Sequence, residues 1–346
     1  MAKNTNGVLL KNLAEKAGVS VGTVSLVLNG RGDEHRISKS TQQRIKEAAE
    51  EMHYTPNIYA RRLRGASSEL PTYVIGLFWN VNSMNWIIST FIHQLYLSSK
   101  AQNIELEIIV EPYFPGELEN LKHKFNTSRF SGAIIANASD KDLEFIKEND
   151  IDLPIVTLNR DTGKYCNVSE NDYIAGKKCA SLFHANGHKK VGVIGMKQTS
   201  LAARLKMMGF KDSCMENSLI IKDEWILDDS RMNFEGGYEM TKKLLEGDDH
   251  PTALFVIYDY FALGVVNACK DLGYSIPDDI TIMVYGNNDV FEHYSPTISS
   301  FYVTPKELAE SSLDLLLLLI KHDNQTVLNK NLSPHFFFRE SCKSIK

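Results

Sequence analysis

From Thr72 onward, short apolar runs alternate with stretches of helical periodicity. The runs YVIGLF, ELEIIV, GAIIAN and PIVTL form one series, and KVGVIG, ALFVI and TIMVYG form a second. Buried apolar runs separated by helical segments predict parallel strands with helices on both faces. Two such series predict two α/β lobes of similar design, although no strict sequence repeat is visible. Open sheets of this kind take ligands at the carboxyl ends of their strands, which with two lobes places a small molecule in the cleft.

The first 65 residues follow a different pattern. An apolar face of Leu13, Ala14 and Ala17 predicts a helix over about Lys11 to Ala17, and Gly18 suits the left-handed turn that ends it. Ser20 is a good N-cap for a second helix, about Val21 to Leu28, with Val24, Val27 and Leu28 facing inward. Ser38 caps a third, Lys39 to Met52, striped by Ile45, Ala48, Ala49 and Met52. Helix, glycine turn, helix is a helix-turn-helix, in which the second helix lies in the major groove of DNA. Small residues on that helix permit close approach to the base edges. By pattern alone, a three-helix unit that binds no DNA stays open.

Charge sharpens the picture. The chain of 346 residues has a net charge of -5. Residues 1–65 carry eleven Lys and Arg against six Asp and Glu, which leaves 27 against 37 in the rest. A basic head on an acidic body fits a polyanionic partner, while charge alone leaves an ordinary solvated surface open. The start, MAKNTNG, has no apolar signal-like run behind it, and LLLLLI (Leu315 to Ile320) is too short to span a bilayer. A cytoplasmic protein without membrane partners is expected. The run Leu313 to Ile320 suits a buried or inter-subunit helix face. Cys166, Cys179, Cys214, Cys269 and Cys342 lack metal or redox spacing, so buried thiols are expected.

The segment LKNLAEKAGVSVGTVSLVLNG resembles the opening of the lactose-repressor (LacI/GalR) family of bacterial transcription regulators. The resemblance continues through ISKSTQQRIKEAAEEMHYTPN and reaches IYARRLRG. By position it implies that Val21 and Gly22, next to the capping Ser20, read bases. Thr23, Ser25 and Asn29 match polar positions near the DNA backbone, and Ser38 and Thr41 match phosphate contacts. Leu26 departs from the family, which usually has arginine there. Arginine reads guanine through bidentate donors that leucine lacks, whereas leucine can touch a thymine methyl. RGDEHR (Arg31 to Arg36) makes the loop before Ile37 longer than in the family's namesake, and Arg31 and Arg36 can reach phosphates or stay in solvent. In the family, the segment after Pro56 pairs with a second copy on DNA as a hinge helix in the minor groove. Asn57 would cap it, Leu63 would wedge into the central base step beside Ala60, and Arg61 would neutralise phosphate, helped by Arg62 and Arg64.

The core resembles the family's periplasmic-binding-protein-like region in NDYIAGKKCASLFHANGHKKVGVIG, in PTALFVIYDYFALGVVNACKDLGYSIPDDITIMVYGNND and in FFRES. The implied organisation is a helix-turn-helix head over residues 1–56, a hinge and linker over 57–70, and a two-lobed core over 71–346. The first lobe takes about 71–167 and 299–331, the second about 170–296 and 332–346. Several effector positions depart from the family. An aspartate becomes Asn171 with Asp172 beside it, an arginine becomes Lys206 with Arg204 nearby, Tyr258 replaces Asn or Asp, and Asn287 replaces the aspartate after the last strand. Asn80 and Trp86 lie where the wall of the cleft is expected. The usual charged hydroxyl-binding set is thus largely neutral here; amides still bind hydroxyls and aromatics stack on sugar faces, so a sugar or related metabolite is expected, with an unusual ligand, a protein co-regulator or no effector as alternatives.

Together these features predict a homodimeric repressor on a near-palindromic operator, modulated by a small molecule and needing no cofactor. A solute-binding transport protein shares such a core but would need an export signal and no basic head. A sugar-processing enzyme would need an acid-base or nucleophile set, and no such motif is visible. The pair His184 and His188 has ligand-like spacing, but Gly187 and the missing acidic partner argue against zinc.

Overall fold

The computed structural model describes residues 10–28, 32–52, 70–81, 85–196, 201–322 and 326–343. The head is three helices: α1 (Leu10–Ala17), α2 (Val21–Leu28) and α3 (Lys39–Glu51). Gly18 has φ +61°, the left-handed conformation that lets the chain reverse after α1. Leu13, Ala14, Ala17, Val24, Val27, Ile45 and Ala48 bury themselves together, with Leu28, Ala49 and Met52 packed at the margin. These are the positions at which the apolar pattern predicts the inner faces.

The core divides into two compact units. The chain passes between them at Val168/Ser169, Leu308/Ala309 and Asn329/Lys330. In the first unit, β1 (Thr72–Asn80) is followed by α4 (Asn85–Ala101), β2 (Glu105–Tyr113), β3 (Gly132–Ala136), α5 (Asp140–Glu148), β4 (Ile155–Leu158) and β5 (Cys166–Glu170). β1 pairs in parallel with β2 on one side and β3 on the other, and β4 and β5 extend the parallel set. Phe78 stacks on Phe125 at 4.1 Å inside a core that includes Phe130 and Ile135. The carboxylate of Glu111 is buried there and satisfied by both Lys124 and Arg129.

The second unit contains α6 (Asp172–Ala185), β6 (Val191–Met196), α7 (Leu201–Glu216), β7 (Ile226–Asp229), α8 (Phe234–Leu245), β8 (Ala253–Val256), α9 (Ala262–Asp271), β9 (Thr281–Tyr285) and β10 (Ser300–Tyr302). Then come α10 (Pro305–His322), β11 (Asn329–Leu332) and β12 (His335–Phe337). The two sheets run β11-β5-β4-β3-β1-β2 and β12-β10-β9-β8-β6-β7. β6, β8 and β9 are mutually parallel, so their carboxyl ends fall on one edge of the sheet. Two apolar cores cover its faces, one around Phe210 and Phe255, the other around Phe261 and Phe291.

One boundary differs from the sequence expectation. The return to the first unit falls at Ala309, not at about residue 299, because β10 pairs in parallel with β9 and antiparallel with β12. Residues 299–308 therefore belong to the second unit. Leu313, Leu316 and Leu317 of the leucine run are buried on α10, and among the described residues no helix is long and apolar enough to cross a membrane.

Candidate nucleic-acid interface and effector site

Each of the last two head helices starts from the same S-x-x-T arrangement. The Thr23 amide donates to Ser20 Oγ at 3.1 Å, and the two hydroxyls lie 2.8 Å apart. The Thr41 amide donates to Ser38 Oγ at 3.2 Å, again with hydroxyls 2.8 Å apart. The threonine in each pair is therefore partly committed to its own helix start. On α2, Val21 and Gly22 are exposed, Ser25 and Leu26 are half-buried, and Val24 and Val27 face the core. A Cβ on Gly22 would meet only Ser20 Oγ within 4 Å, so the space beside it is open. The helix VGTVSLVL presents no charged or carboxamide side chain. Asn29, Asn57, Ala60, Arg61 and Leu63 lie outside the described residues.

In the second unit, β5 delivers Glu170 and Asn171 to the start of α6. Asn171 caps that helix, its Oδ1 accepting from the Ile174 amide at 3.1 Å. The next residue, Asp172, forms an ion pair with Lys206 of α7. The lysine reaches it because α6 and α7 touch through reciprocal glycines. A Cβ on Gly176 would lie 1.9 Å from the Lys206 carbonyl oxygen, and one on Gly209 would lie 2.0 Å from that of Tyr173. Lys206 is itself buried, with Nζ 4.1 Å from the centre of the Tyr285 ring, and the Tyr285 hydroxyl donates to Glu170. Burial raises the carboxyl groups of Glu170 and Asp172 above their ordinary range, and the charge of Lys206 opposes that rise.

Lys206 pairs with Asp172, the residue that follows Asn171. Tyr258 is half-buried against the core at the end of β8, and Asn287 follows Gly286, whose φ is +119°. Arg204 is exposed on α7. Asn80 is buried at the end of β1 in the first unit, its Nδ2 donating to the Asn137 carbonyl at 3.0 Å. Trp86 begins α4, and its side chain lies outside the described residues. Sequence reasoning missed Glu170 and Tyr285, each polar and at the end of a strand, a position that in these sheets is a usable signal.

Asp259 closes the carboxyl end of β8 beside Gly286. Its carboxyl is pushed up to about 6 by burial, against hydrogen bonds from its own and the Tyr260 amides. The folded state thus holds this proton more tightly than the unfolded chain, whose ordinary value is 3.8. The resulting stability is full below pH 3.8 and is lost as pH rises through 6. Asp259→Asn removes that loss. Thermal melts should show the variant gaining most over the parent at pH 8 and least near pH 4; an equal difference at both pH values would contradict the assignment.

All five cysteines are buried thiols. His188 sits 2.9 Å from the Thr252 hydroxyl, and no group of three His, Cys, Asp or Glu among the described residues is arranged to hold a metal ion.

A helix-turn-helix head joined to a two-unit parallel α/β core defines a DNA-binding regulator with a small-molecule-type core. The model for "Bacterial regulatory proteins, lacI family" matches residues 9–57, and that for "Periplasmic binding protein-like domain" matches 180–342. The chain thus carries a LacI-family DNA-binding head and a periplasmic-binding-protein-like core, and it is similar over nearly its whole length to transcriptional repressors. It is 28% identical to the HTH-type transcriptional repressor PurR of Mannheimia succiniciproducens, over 97% of this chain and 99% of the relative. It is 26% identical to the ribose operon repressor of Haemophilus influenzae, over the same shares. Among solved structures, a LacI family transcription regulator from Clostridium acetobutylicum is 29% identical with TM-score 0.70, covering 78% of this chain and 99% of that one.

Proposed function

We propose that the protein is a cytoplasmic homodimer that represses transcription from a near-palindromic operator, placing α2 of each head in the major groove. The observation that carries this is the surface of α2: neutral throughout, exposed at Val21 and Gly22, with Ser25 and Leu26 half-buried beside them. Such a helix seats closely and reads DNA by methyl contact and hydroxyl bonds rather than bidentate pairing. Two heads on one dimer match a two-fold site. By family position, Asn57, Ala60, Arg61 and Leu63 would add the minor-groove contact, with Leu63 as the wedge. Selection from a random duplex pool tests the reading, with recovery of a near-palindrome as the expected result.

The pool also tests Leu26. Selected sites should lack the guanine that arginine reads in the family, and Leu26→Arg should install a guanine preference at that step of about 1–3 kcal/mol. Recovery of that guanine by the parent protein would contradict the assignment.

For the effector, the second unit supports a neutral polyhydroxylated molecule, such as a sugar. The buried Lys206 charge already has its partner in Asp172, so a phosphate or carboxylate bound there would have to displace an existing ion pair. Asn171, Tyr258 and Asn287 offer amides and a ring, which suit hydroxyls and sugar faces. The ligand acts on DNA binding only through a preference for one core arrangement. A thermal-shift screen of neutral sugars against sugar phosphates is expected to give raised melting temperatures with members of the first group. Hits confined to phosphates would overturn this choice.

A further inference from the structure

Residues 32–37, just ahead of α3, are tied back onto α3 by Asp33. The Ile37 amide donates to the Gly32 carbonyl at 2.9 Å and the Arg36 amide to the Asp33 carbonyl at 3.1 Å, with Arg36 at φ +52°. Asp33 then uses both carboxylate oxygens on the start of α3. Oδ2 accepts from Lys39 Nζ at 2.7 Å, and Oδ1 accepts from Gln42 Nε2 at 2.8 Å. Gln42 Nε2 also donates to the Ile37 carbonyl at 2.8 Å. Its side chain fills the space beside Gly32, where a Cβ would lie 2.7 Å from Gln42 Cδ. These bonds, the one from Lys39 foremost, hold the Asp33 carboxyl below its ordinary range.

α3 opens with Ser38, Lys39, Ser40 and Thr41 and has no acidic residue in its first turn. In a DNA-binding head, a helix start lined with exposed donors is a natural phosphate contact. Lys39 is the only charged residue among these four, and its solvent-exposed ammonium is paired with Asp33. The geometry points to Asp33 as an affinity-setting residue that withholds Lys39 from the phosphate backbone and so restrains sequence-independent binding.

There is a physical reason for such a restraint. Phosphate contacts strengthen binding to every duplex alike, and specificity is the ratio of operator binding to that background. The α2 helix has no side chain capable of a bidentate base contact among its described residues, so its direct readout is modest. Lowering the background keeps the ratio useful. The inference rests on the head's binding to DNA and concerns what limits that binding.

The test uses the intact protein and a duplex of random sequence, with the binding constant measured across a range of salt. Asp33→Asn keeps an acceptor for Gln42 but removes the countercharge of Lys39. It should bind the random duplex several-fold more tightly and steepen the logarithmic salt dependence by about 0.9 per head, the value for one added phosphate contact. Lys39→Gln alone, which leaves the Asp33–Gln42 bond in place, should leave the slope unchanged. Added to Asp33→Asn, it should return the slope to the parent value. The assignment is overturned if Lys39→Gln alone flattens the slope, because Lys39 would then already contact phosphate. It is equally overturned if Asp33→Asn strengthens binding to the same extent with and without Lys39, which would be simple loss of repulsion. Failure of the parent to bind any duplex at low salt would instead refute the DNA-binding reading, and this inference with it.

Discussion

Lys206→Met should destabilise the second unit by about 3–5 kcal/mol at neutral pH, the usual consequence of removing one member of a buried ion pair. Lys206 is 4% exposed, and its partner Asp172, largely but not fully buried, would be left without that countercharge. For a unit of this size the melting temperature should fall on the order of 10 °C. The pH dependence identifies the cause. Without Lys206 the folded state favours protonated Asp172, whose carboxyl burial already raises. The penalty is then present at neutral pH and shrinks as the pH falls towards the unfolded value of 3.8. Adding Asp172→Asn should recover part of the loss at pH 7. A loss independent of pH and not relieved by Asp172→Asn would mean that Lys206 stabilises by packing its stem.

The second large effect is expected at Gly176. Its Cβ position lies 1.9 Å from the Lys206 carbonyl oxygen and 2.7 Å from the Phe210 nitrogen, both backbone atoms that cannot rotate away. Alanine there must push α6 and α7 apart, at a cost of about 3 kcal/mol, the upper part of the range for overpacking. Gly247→Ala is the control. Nothing lies within 4 Å of its Cβ position, so its melting temperature should stay within about a degree of the parent. Equal behaviour of the two variants would show that α6 and α7 yield without cost.

These two sites mark how far the sequence could be read. The helix-turn-helix was legible because every signal agreed: Ser20 and Ser38 as caps, Gly18 as the turn, and inner faces at Leu13, Val24 and Ile45. The central strands were legible because each is a continuous apolar run buried on both faces. The short strands β5 (CNVSE), β7 (ILDD) and β11 (NKNL) were not, since each is partly exposed and too polar or too brief to show a period. The return of the chain was placed too early for a related reason, because the pairing of β10 with β9 and β12 is a long-range choice.

The surroundings of Lys206 in the second unit were legible residue by residue but not as an arrangement. Asn171 and Lys206 stood out as departures from a family pattern. That Lys206 would be buried, paired to Asp172 and seated on the Tyr285 ring depended on the close contact of α6 and α7, which only the packed glycines permit. The Asp33 bond to Lys39 was hidden in the same way. The loop read as extra charge, and one of its two acidic residues, Asp33, turned out to face the helix start.

The central claim is that two copies of this chain hold one duplex through the lean surfaces of their α2 helices. The most direct test is the mass of the complex that intact protein forms with its best selected duplex, compared with a scrambled duplex at about 0.15 M salt, near physiological ionic strength. Two protomers on the selected duplex, and no complex on the scrambled one at the same concentration, is the predicted result. A single protomer bound, or equal occupancy of both duplexes, would contradict it.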